Sequence, residues 1–114
     1  MDVSGLTSSA FPLETNPDPS ELGILNPDQQ AESQVELRNL GREPILIGRI
    51  ETSCPCVRVE PGMFQIGPGE AKSLAVRFDP ADEPDFHGQL SVIVTGYDDA
   101  GRAAFGTRVN LEVR

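Results

Sequence analysis

The chain has no tryptophan, one histidine and one tyrosine, and its only two cysteines, Cys54 and Cys56, stand one residue apart. Each scarcity excludes something. One histidine, with no serine or cysteine at a recognisable nucleophile elbow, leaves no Ser-His-Asp signature of a hydrolase, and no catalytic residue is assigned. A cysteine pair closing a three-residue loop removes little entropy from the unfolded chain, so it is not the framework of a small disulfide-rich fold. No apolar run nears the length of a membrane-spanning helix. Basic residues are also scarce: nine against 18 acidic ones give a net charge of -9, the wrong sign for neutralising nucleic-acid phosphates.

The missing bases are unevenly distributed. Met1 to Leu37 contains no Lys or Arg but seven acids: Asp2, Glu14, Asp18, Glu21, Asp28, Glu32 and Glu36. Four prolines fall in the same stretch, and residues 1–20 read as an acidic, Pro/Ser-rich leader or linker ahead of a domain at 21–114. That start has no basic n-region and no apolar h-region, so it is not a secretory signal; removal of a signal or anchor from a longer chain would leave such a start.

From residue 32 onward a period of two dominates. Val35 and Leu37, then Leu74, Val76 and Phe78, then Leu90, Val92 and Val94, then Val109 and Leu111 alternate with polar neighbours, the pattern of half-buried strands. Ile45, Leu46 and Ile47 run together and suggest a strand covered on both faces. Turn signals recur every 8–12 residues: Asn39 to Pro44, Glu60-Pro61-Gly62, Gly67 to Glu70, Asp79-Pro80 and Asp98 to Gly101. Leu22 to Leu25 is a further candidate. About seven strands so spaced predict an all-β fold, an immunoglobulin-like antiparallel β-sandwich. Its expected core is Val35, Leu37, Ile45, Ile47, Leu74, Val76, Phe78, Leu90, Val92, Val94, Val109 and Leu111.

The chemistry-bearing residues are few. In an extended Cys-Pro-Cys both sulfurs face one side, with Cα atoms about 6.5–7 Å apart, at the edge of disulfide reach. Three readings stay open: a structural pair, free or bridged; a soft-metal site; and a redox-active dithiol. Two thiolates without further ligands suit Cu(I) better than zinc, with Cys54 and Cys56 as ligands and His87 as a third only if the fold brings it near. Asp79, Asp82, Glu83 and Asp85 cluster without the glycine-centred calcium loop and read as a solvated loop.

The order Asn39-Leu40-Gly41, Pro44-Ile45-Leu46-Ile47, Ser53-Cys54-Pro55-Cys56, Ile66-Gly67-Pro68-Gly69-Glu70, Val76-Arg77-Phe78-Asp79-Pro80 and Gly88-Gln89-Leu90 resembles a bacterial family, domain of unknown function fifteen seventy-three. Pro55 stands where the family pattern has glycine. The resemblance covers residues 32–96 and implies a sandwich related to major-sperm-protein and Hydin-like domains, in a periplasmic or other extracytoplasmic setting, with no established activity. With no catalytic constellation, the expected role is non-enzymatic: a module that binds another protein or holds an assembly. Sheet edges and end loops are the expected contact surfaces.

Overall fold

Alternating burial resolves into nine strands in a computed structural model that describes residues 11–82 and 85–114. They are β1 (Leu13–Asn16), β2 (Ser20–Leu25), β3 (Ala31–Asn39), β4 (Ile45–Thr52), β5 (Val57–Glu60), β6 (Phe64–Ile66), β7 (Ala71–Phe78), β8 (Gly88–Asp98) and β9 (Ala103–Val113). One short 3-10 turn, Pro80–Asp82, follows β7. A four-stranded sheet has the order β1-β3-β7-β5 and a five-stranded sheet the order β2-β9-β8-β4-β6. Every pairing is antiparallel except β2 with β9. The two sheets face each other across one core, an immunoglobulin-like sandwich as the strand count and turn spacing imply.

Inward parity sets the core. Ten of the twelve expected residues are buried, and Ile45 and Leu90 pack against its rim. Leu13, Leu25, Cys54, Cys56, Val57, Phe64, Ile66, Ala104, Phe105 and Val113 complete it. Phe105 lies across the ladder from Gly96, and its ring occupies the space a Cβ at position 96 would take. A glycine in mid-strand is thus matched by an aromatic ring over its backbone. Leu46, expected to be covered, is 39% exposed on the outer side of β4.

The leader expected at residues 1–20 needs correction. Leu13 to Asn16 pair with Asn39 to Glu36 as the edge of the four-stranded sheet, and Leu13 is buried. A single inward leucine amid acids and prolines gives little periodicity, yet the backbone ladder needs none. The chain then passes to the other sheet through Pro17-Asp18-Pro19, with cis bonds before both prolines. Thr107 Oγ1 donates to Asp18 Oδ1 there at 2.7 Å. Residues 1–10 lie outside the described residues, as do Glu83 and Pro84 of the acidic loop.

Candidate functional site

β4 lies in the five-stranded sheet while its sequence neighbours β3 and β5 lie in the other, so the chain changes sheet at both ends of β4. The first crossing is organised by Asn39, the last residue of β3. Its parity with Val35 and Leu37 turns the side chain inward, and it is fully buried. Nδ2 donates to the carbonyl of Glu43 at 2.8 Å and to that of Ile66 at 3.1 Å. Oδ1 accepts the amide of Gly41 at 2.9 Å. The backbone of Asn39 also donates to Glu70 O and accepts from Gly69 N, each at 2.9 Å. One amide side chain therefore joins the β3–β4 crossing to the end of β6. Sequence reading took Asn39 for an ordinary turn residue; the signal was its place in the inward set.

The second crossing carries the cysteines. Residues Cys54 to Val57 form a turn closed by the Val57 amide on Cys54 O at 3.2 Å, with Pro55 at its second position, where a fixed φ suits it. Thr52 Oγ1 lies within hydrogen-bonding distance of two carbonyls, Cys54 O at 2.8 Å and Val57 O at 3.2 Å. Ser53 binds β8 reciprocally: its amide donates to Ile93 O at 3.0 Å, and Ile93 N donates to Ser53 Oγ at 2.9 Å. The Asp79 amide, just past β7, donates to Cys56 O at 2.9 Å.

Because the segment turns, its Cα atoms close to 5.2 Å, not the spacing of an extended strand, and Cys54 and Cys56 are joined as a disulfide. That separation falls inside the usual range of about 4.4–6.8 Å. Cys54 is 8% exposed and Cys56 fully buried, both within the core. The Cys56 amide also points to Cys54 Sγ at 3.3 Å.

A soft-metal site needs two free thiolates facing an open side. Here the sulfurs are bonded to each other and buried, so the residues as arranged do not fit Cu(I). His87 is exposed, just before β8. Among the described residues no group of three His, Cys, Asp or Glu side chains converges on a point where an ion could sit. Asp79, from the acidic loop, uses Oδ1 to accept the Ala81 amide at 3.0 Å.

The two outer faces differ. On the four-stranded sheet Arg77 bridges Glu32 at 2.7 Å and Glu60 at 3.3 Å, and Ser73 Oγ donates to Gln34 at 3.0 Å. The hydrogen bond to Glu32, then the charge of Glu60, holds the Arg77 guanidinium above its ordinary pKa. The five-stranded sheet instead presents Ile24 (58% exposed), Leu46 and Ile93 (50% exposed) from its strands, with exposed Met63 just ahead of β6. Arg49 stacks over the Tyr97 ring at 4.1 Å and pairs with Glu51 at 3.0 Å. Phe11 lies against Gly106 on β9, whose missing Cβ leaves room for the ring. All four edge strands are six residues or shorter, and each has a proline within three residues of both ends. Short, proline-bracketed edges resist added strands.

A family model described as HYDIN/CFA65/VesB-like, Ig-like domain matches residues 12–105. No curated protein matches the chain by sequence. Among solved structures it is similar to the ASH/PapD-like domain 7 of human CEP192, at 12% identity and a TM-score of 0.68, covering 91% of this chain and 86% of that one. It is similar also to WR4, an MSP family member of C. elegans, at 11% identity and a TM-score of 0.63, covering 91% and 99%. A third is the YadV chaperone, at 16% identity and a TM-score of 0.60, covering 91% of this chain but 52% of the chaperone. At such identities the likeness is one of fold.

Proposed function

This chain belongs to the HYDIN/CFA65/VesB-like Ig-like domain family, and we propose that it is a non-enzymatic binding or scaffold module whose contact surface is the outer face of its five-stranded sheet. The observation that carries this reading is the asymmetry of exposed apolar side chains. Ile24, Leu46 and Ile93 stand on that face, whereas the described strands of the other sheet expose no large apolar residue. Apolar groups grouped on one face with polar neighbours mark protein contact surfaces. The short, proline-bracketed edges shift the contact from the sheet edges, where sequence alone placed it, to this face. One structural neighbour is a chaperone, which supports a role by contact.

Membership of the narrower Cys-x-Cys family, domain of unknown function fifteen seventy-three, is part of the same proposal, carried by Asn39-Leu40-Gly41 and Ser53-Cys54-Pro55-Cys56. So is a periplasmic or other extracytoplasmic home. The Cys54–Cys56 bond supports it, since disulfides persist in oxidising compartments and are rare in the cytosol.

A photo-crosslinking residue placed singly at Ile93 and at Ser73, outward positions on opposite sheets, tests the surface in the native cell. Covalent protein adducts are expected from position 93 and not from 73. Adducts from 73 alone, or from neither, contradict the reading.

A further inference from the structure

We infer that the Cys54–Cys56 disulfide is a redox-operated latch on the crossing from β4 to β5, released by a dithiol, with effects confined to that end of the sandwich. The inference is independent of the contact surface proposed above.

Three observations carry it. First, access is unequal: Cys54 is 8% exposed and Cys56 is 0% exposed. A thiolate from solvent is therefore directed to Cys54, the less deeply buried of the two. It forms a mixed disulfide there, breaks the bond between the two cysteines, and expels Cys56 as a thiolate that takes up a proton. The second thiol of the reductant then displaces Cys54 as a thiol and leaves as a cyclic disulfide. Two electrons and two protons pass from the dithiol to the protein.

Second, the sulfurs sit in the core. Once unbonded they must separate to van der Waals distance, and a close-packed interior has no spare room for that. The turn has to shift. Pro55 still presets the turn's second position, and Thr52 and Ser53 still hold its entrance, so the shift falls on Cys56 and what it binds.

Third, what Cys56 binds is the residue that leaves β7, the strand with which β5 pairs. The Cys56 carbonyl accepts the Asp79 amide, the first residue past β7, where the segment leading to Phe86 and His87 begins. Phe86 is half-buried against the core. The state of the two sulfurs is thereby coupled to a loop that the disulfide does not enclose. A three-residue cross-link contributes too little to hold the whole fold, so release is local.

Amide hydrogen exchange on the full chain, oxidised and after treatment with dithiothreitol, tests this. The Val57 and Asp79 amides are expected to exchange about tenfold faster or more after reduction, as a local opening would produce. The Gly41 and Gly69 amides, held by Asn39 at the opposite crossing, are expected to be unchanged. Alkylation of briefly reduced protein is expected to label Cys54 ahead of Cys56. A Cys54→Ala, Cys56→Ala variant is expected to reproduce the reduced pattern without a reductant. A disulfide that cannot be reduced while the sheets persist overturns the inference. So do unchanged rates at Val57 and Asp79, or faster exchange throughout the ladder.

Discussion

The chain crosses between its sheets at both ends of β4 and is held differently at each. At the Asn39 end one buried side-chain amide makes three hydrogen bonds, to the Gly41 amide and Glu43 carbonyl of its own connection and to the Ile66 carbonyl at the end of β6. At the cysteine end a covalent bond joins two neighbours, while Thr52, Ser53 and Asp79 tie the turn to strands on either side. The covalent bond is the stronger link but the less consequential one. It closes three residues, whereas Asn39 bridges 27 positions to reach Ile66. What a cross-link does for a fold depends on how much chain it constrains and on what is stranded when it goes.

Breaking each crossing should therefore rank them. Asn39→Ala strands the buried Ile66 carbonyl and removes the bonds to the part-buried Gly41 amide and Glu43 carbonyl, and is expected to cost about 3 kcal/mol, since an unsatisfied buried group costs roughly 1–3 kcal/mol. The fall in urea midpoint measures it, and a loss below that of the cysteine variant would reverse the ranking. Cys54→Ala, Cys56→Ala is expected to cost about 2 kcal/mol, of which the chain-entropy relation assigns about 1.6 kcal/mol to a three-residue loop. Thr52→Val keeps the shape and removes the hydroxyl between two carbonyls; about 1 kcal/mol is expected from the same urea series. If it matched the double cysteine variant, the turn would owe as much to Thr52 as to its covalent bond.

The two crossings also differed in how far sequence revealed them. Period-two alternation located most of the strands and ten of the twelve expected core residues, because burial on one sheet face leaves that imprint directly. Leu13–Asn16 left almost none: its pairing with β3 uses backbone groups, which every residue carries. Asn39 was visible only as a turn former, since a polar residue in an inward position looks like the end of a strand until its partners are known. The cysteines stood out at once, but an extended geometry was assumed for them. Pro55 at the second position of a turn brings their Cα atoms to 5.2 Å, a closure that local chain direction decides and alternation does not report. Sheet edges looked open in sequence; their shortness became evident only once the strand order was known.

For function, the contrast that matters is between the outer faces: Glu32, Arg77 and Glu60 pair on one, while Ile24 and Ile93 stand exposed on the other. An Ile24→Glu, Ile93→Glu variant tests it most directly, compared with the parent for urea midpoint and for adducts formed by a photo-crosslinker at the neighbouring outward position Thr95. Both isoleucines are at least half exposed, so the midpoint is expected to stay close to that of the parent while the partner adducts disappear. A variant that folds as the parent does and still forms the same adducts would contradict a contact surface on the five-stranded sheet.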